Sequence, residues 1–172
     1  VATEYPIDFE LGDCRIRGRI DRIELVENQQ LMLSDYKTGT LRSQNWQLQP
    51  LYDPQLPLYM LAIKAELDNE GFSVVAEKAT GINGIYLAGI KAGYIKYSGL
   101  TDDDAIAKSI PGIKALDENS TWHTLQAEWL KQLEVLSKDF LEGYAGFDPE
   151  MYNVDNRYEP FIRSRFYQNI TD

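Results

Sequence analysis

Between residues 18 and 40 the chain reads GRIDRIELVENQQLMLSDYKTGT, which sets two aspartates and a lysine among apolar neighbours. Asp21 follows Ile20, Asp35 follows Leu33 and Ser34, and Lys37 stands two residues beyond Asp35. Residues two apart on a strand point to the same face, so Asp35 and Lys37 are expected to project together, beside Leu31 and Leu33. If the preceding strand lies antiparallel and adjacent, Asp21 comes alongside Asp35. Two carboxylates and an ammonium on one sheet face are costly unless something compensates them. Two compensations stay open on these residues alone. One is a buried ion pair between Lys37 and an aspartate; the other is a divalent cation that takes the carboxylate oxygens.

Composition restricts what such a cation would be. There is one cysteine, Cys14, and one histidine, His123. Neither an internal disulfide nor a cysteine- or histidine-built metal site is possible, and oxygen ligands point to magnesium, manganese or calcium. The 172 residues, 44% hydrophobic, are expected to form one globular domain over 1–172. A net charge of −10 argues against non-specific adhesion to nucleic acid or to an anionic membrane. No apolar run reaches the roughly 18 residues of a spanning helix, and no basic-then-apolar leader opens the chain. A soluble, cytoplasmic protein without membrane contact is the expectation.

The elements that must position the charged cluster can be read from pattern. EYPIDFELG and CRIRGRIDRIELVE read as strands joined at Gly12-Asp13. In the second strand the apolar parity changes near Asp21-Arg22, which predicts a bulge or bend there. LMLSDYKT is the next strand. Asp53-Pro54 reads as an N-cap followed by a first-turn proline, opening a helix over QLPLYMLAIKAELDN. GINGIYLAGI and GYIKYSGL read as two further strands. In the long helix over 120–144, Leu125, Trp129, Leu133, Leu136 and Phe140 keep helical spacing. The order predicts an α/β fold, a mixed sheet with helices packed on it.

Gln55 and Tyr59 lie four apart and so share a helical face. The ordered segments GRIDRIE, SDYKTGT and QLPLY resemble the PD-(D/E)XK nuclease superfamily, in particular its RecB-like exonuclease domains. The resemblance implies a restriction-endonuclease-like core with a mixed central sheet flanked by helices. It also implies metal-dependent phosphodiester hydrolysis on DNA, in repair or recombination. By that likeness Asp21, Asp35 and the Tyr36 carbonyl would hold Mg²⁺ or Mn²⁺. Lys37 would orient the attacking water or neutralise transition-state charge, and Gln55 and Tyr59 would contact the surroundings of the metal site or the DNA backbone. Gly18 would admit a close backbone approach, or simply mark a strand bend.

RecB-like relatives carry an upstream helix with a Glu or His at the metal site, so Val1 reads as a boundary inside a larger DNA-repair protein, beside a helicase or another domain. Some relatives hold an iron–sulfur cluster through C-terminal cysteines; RYEPFIRSRFY has none, so no cluster is expected. A catalytically silent module of the same fold, guiding DNA ends or serving as a scaffold, is the alternative.

Arg15, Arg17 and Arg19 alternate on one strand face and would meet phosphates, or form a solvated face. Arg42 and Trp46 follow Lys37 in a loop, where Trp46 would stack on a base or anchor the loop. Arg157, Arg163 and Arg165 form another basic group. His123 reads as a solvated or capping residue, Cys14 as a small strand residue, and Asp102 to Asp104 as a helix entry.

Overall fold

A computed structural model of the chain describes residues 1–47, 51, 53–69, 79–118 and 120–144. The chain divides into two units, Val1–Glu142 and Gly143–Asp172, and the first holds every element named below. Arg157, Arg163 and Arg165 lie outside the described residues.

Strands β1 (Ala2–Leu11) and β2 (Cys14–Leu25) form an antiparallel hairpin. Its turn passes through Gly12 at φ +56, a left-handed conformation that glycine adopts without steric cost. β1 carries Pro6 at the margin of the sheet, where a missing N–H is tolerated. A short 3₁₀ turn, Glu27–Gln29, leads into β3 (Gln30–Lys37), antiparallel to β2. Helix α1 (Gln55–Asp68) then crosses to β4 (Gly81–Lys91), which runs parallel to β3. A parallel pair needs such a crossover, because no tight turn can reverse the chain twice.

Strand β5 (Tyr94–Thr101) returns antiparallel to β4, and the three-residue β6 (Ile113–Ala115) follows parallel to β5. The six strands lie in chain order. Between β5 and β6, α2 (Asp104–Ser109) is capped by Asp103, whose carboxylate accepts from the N–H groups of Ala105 and Ile106. This is the acidic helix entry that the sequence suggests. The result is the α/β architecture expected of a restriction-endonuclease-like core.

The core sits between the sheet and the α1–α3 layer, α3 being Trp122–Leu141. Leu31 and Leu33 of β3 and Ile85 of β4 meet Leu56, Met60 and Ile63 of α1, with Trp129 of α3 sealing the layer. Two local expectations change. Pro54, not Asp53, takes the N-cap position of α1, and no side chain caps that end. In α3, Leu125, Trp129 and Leu133 are buried but Leu136 and Phe140 are exposed. Beyond Leu133 the residue facing the β1–β2 turn is Ser137, whose carbonyl accepts from Cys14 Sγ at 3.6 Å. His123 is exposed in the first turn of α3, which Thr121 caps.

Candidate active site

The β2–β3 ladder ends at the pair Arg22↔Ser34, and the same register continued by one residue sets Asp21 opposite Asp35. Asp21 Oδ2 accepts the Tyr36 N–H at 2.8 Å, so the first aspartate closes the end of the ladder with its side chain. The parity change expected at Asp21-Arg22 is present: Ile20 and Ile23 are both buried. The device differs from an inserted bulge residue. The β1–β2 register is unbroken on either side, and the shift occurs in both strands at Glu4, opposite Asp21. Glu4 is left-handed, φ +52.

Asp35 and Lys37 share the core face of β3, as strand alternation requires. Asp35 is only 3% exposed. Its Oδ1 accepts from Gln55 Nε2 at 2.7 Å. Its Oδ2 lies 2.6 Å from Lys37 Nζ, a close ion pair. Lys37 Nζ also donates to Gln55 Oε1 at 2.6 Å. Gln55 Nε2 also reaches Tyr59 Oη at 3.4 Å, one helical turn on. Gly18 explains how the phenol fits. A Cβ there would lie 3.3 Å from both Tyr59 Cε1 and Oη. The close neighbour is therefore a side chain of α1, where the sequence suggested a backbone.

Burial pushes the Asp35 carboxyl above its ordinary range. The Lys37 ammonium pulls the other way, and the nearby charges of Asp21 and Asp53 add to the rise. Asp53 thus lies within the field of the buried carboxylate. The sequence hid this, because Asp-Pro before a helix reads first as a cap.

The donor set here is oxygen alone: two opposed carboxylates and adjacent main-chain carbonyls. It suits a hard divalent ion, and Mg²⁺ is commonly held by one or two carboxylates while keeping several waters. Among the described residues no group of three or more His, Cys, Asp or Glu side chains is arranged to hold an ion. The two aspartates, the Tyr36 carbonyl and water would have to suffice. Asp35 Oδ2, whose close contact is the Lys37 ammonium, is the atom that fits such a role best.

The remaining candidates lie apart from this cluster. Arg15, Arg17 and Arg19 are exposed, on the β2 face opposite Gly18. Arg15 makes a forked contact to Asp8, at 2.6 and 2.7 Å. Arg17 reaches Asp8 at 3.2 Å, and Arg19 is 3.9 Å from Glu4. Arg42 is exposed in the loop after β3. Trp46 corrects the base-stacking expectation. It is 1% exposed, and its carbonyl accepts from Trp129 Nε1 at 2.7 Å, so it anchors the loop in the core and offers no ring face to a base.

Sequence reading also passed over the end of the β4–β5 hairpin. There Gly39, Thr40, Lys91, Tyr94, Lys96 and Tyr97 line an open cavity of about 350 Å³. The available signal was the alternation of Lys91, Tyr94 and Lys96 about the Ala92-Gly93 turn. No helix among the described residues is long and apolar enough to cross a membrane. A family model of the PD-(D/E)XK nuclease superfamily matches residues 1–149. No curated protein and no solved structure matches the chain.

Proposed function

Because the chain belongs to the PD-(D/E)XK nuclease superfamily, we propose that it hydrolyses DNA phosphodiesters with a divalent metal, through the cluster of Asp21, Asp35, Lys37 and Gln55. The observation that carries this reading is the buried Asp35. One of its oxygens is fixed by Gln55, while the other faces the Lys37 ammonium at 2.6 Å, in a site where Asp35 is 3% exposed. Such a buried carboxylate is costly to keep, and a bound divalent ion would offset that cost.

Asp21, Asp35 and the Tyr36 carbonyl would hold Mg²⁺ or Mn²⁺. When bound, the ion supplies Lewis-acid polarisation of a phosphoryl oxygen and lowers the pKa of water. Lys37 sets a positive charge beside the scissile phosphate, where negative charge grows in the transition state. Gln55 holds Asp35 and Lys37 in one plane of contacts, and Tyr59 backs its carboxamide. Exonuclease-type, RecB-like action in DNA repair, in association with a helicase or another domain, is the finer form of this proposal. The ordered segments around Asp21, Asp35 and Gln55 support it.

The test is release of labelled nucleotide from linear DNA, with Mg²⁺, with Mn²⁺ and with EDTA, by this chain and by Asp35→Asn. Hydrolysis that needs the ion and disappears in the variant is expected. Hydrolysis that survives EDTA or the substitution overturns the reading. Absence of both hydrolysis and metal binding in the unaltered chain leaves the silent scaffold instead.

A further inference from the structure

The face of the sheet that carries Asp35 and Lys37 continues across β4 and β5. In register, Asp35 is followed by Leu87 and Ser98, and Lys37 by Gly89 and Lys96. The next row is the pair Lys91↔Tyr94. Side chains in one register row share a face, so Lys96, Lys91 and Tyr94 project on the same side as Lys37. Lys37 and Lys96 are two strand spacings apart, about 10 Å. Between them Gly89 has no side chain, and Leu41 of the loop after β3 lies over it, 3.0 Å from where a Cβ would stand. Ser43 and Ser98 join that loop to β5 by a hydroxyl contact of 2.7 Å.

The cavity of about 350 Å³ opens beyond Leu41, and two lysines but no acidic residue line it. In a chain of net charge −10 that is a local reversal of sign. Aromatic surface is exposed beside it: Tyr94 is 48% exposed. Lys96 Nζ sits 5.5 Å over the centroid of the Tyr94 ring, a cation–π contact that keeps the cation and the ring together.

We infer that the β4–β5 hairpin end is a subsite for single-stranded nucleic acid leading to the Asp35–Lys37 cluster, with Tyr94 as the stacking platform and Lys91 and Lys96 as phosphate contacts. This rests on the nuclease reading of that cluster. Cationic side chains beside an exposed aromatic ring suit a flexible strand whose bases can turn out, because stacking needs a free base face. In a duplex those faces are covered by neighbouring bases. The arginine row on β2 lies on the other face, paired with Asp8 and Glu4.

The experiment is equilibrium binding of labelled oligothymidine and of a blunt duplex of equal length, by anisotropy in EDTA so that nothing is cut. The single strand is expected to bind more tightly. Tyr94→Ala is expected to weaken it about tenfold, while Tyr94→Phe restores it. Lys91→Gln and Lys96→Gln are each expected to reduce the slope of log affinity against log salt by about 0.7. Equal affinity for strand and duplex, or no effect of Tyr94→Ala with the fold intact by circular dichroism, overturns the subsite. Cleavage assays on the same variants separate the two readings. Metal-dependent hydrolysis without Tyr94-dependent binding removes only the subsite; Tyr94-dependent binding without any hydrolysis removes only the nuclease.

Discussion

Gln55 donates to Asp35 Oδ1 across 2.7 Å, joining the first residue of α1 to the buried end of β3. Its carbonyl oxygen simultaneously accepts from Lys37. The neighbours dictate the amide orientation, because a carboxylate can only accept and an ammonium can only donate. No other residue type of this length gives a donor to Asp35 and an acceptor to Lys37 from one planar group.

Gln55→Glu tests this directly. Its second oxygen would face Asp35 Oδ1, acceptor against acceptor, with like charge added to a buried carboxyl. Without metal the variant is expected to lose about 1–3 kcal/mol, read by denaturant melts. Mg²⁺ should recover part of the loss, since a bound cation would offset the added negative charge. An unchanged midpoint would mean that the Gln55–Asp35 contact contributes little.

Lys37→Ala separates chemistry from scaffolding. If the ammonium acts on the transition state, kcat at saturating metal should fall about 10²–10³-fold. Metal affinity should persist, because Asp21 and Asp35 remain. Calorimetry and kcat measured on the same preparation decide it. A folded variant with an unaltered rate would reduce Lys37 to a counter-ion for Asp35.

Gly18→Ala reaches the site through packing. The new methyl group meets the Tyr59 ring at 3.3 Å, so the phenol must move by a few tenths of an ångström. A stability loss of about 1 kcal/mol is expected, together with a lower kcat, because Tyr59 backs Gln55. Thermal melts and rates should therefore change together. A drop in stability alone would show that Tyr59 tolerates displacement.

Glu66 gives a pH signature away from the site. Burial pushes its carboxyl above the ordinary range, with the hydrogen bond from Tyr5 pulling it partly back. Tyr5 Oη donates at 3.0 Å, and burial lifts the phenol to about 12. A carboxyl whose folded pKa is raised stabilises the fold below its unfolded pKa and loses that contribution as pH rises through the folded value. Glu66→Gln keeps an acceptor for Tyr5 and removes the charge. It should match the parent at acid pH and melt higher near neutrality. Coincident stability curves at all pH values would contradict this.

Much of this site was legible because its groups obey short-range rules. Alternation placed Asp35 with Lys37, and helical spacing placed Gln55 with Tyr59. Antiparallel pairing, which brings Asp21 opposite Asp35, follows once the three strands are recognised. What local pattern could not show depended on tertiary contact. Trp46 lies in a polar loop, yet the partner that buries it is Trp129, 83 residues away. The role of Gly18 required knowing that Tyr59 would stand over it. The exposed Leu136 and Phe140 keep helical period, but period alone does not tell which residues still face the sheet beyond Leu133.

The two margins of the sheet have a consequence for self-association. A ten-residue strand such as β1, left with unpaired peptide groups, is a template for pairing with another copy. Here Pro6 removes one donor from that row, and left-handed Glu4 interrupts its straight run. At the opposite margin, β6 offers three residues. Among the described residues, neither margin presents a long regular ladder, so the sheet is poorly suited to edge-to-edge polymerisation. Pro6→Val would return the missing donor to the open row, and turbidity on concentration or mild heating would then rise.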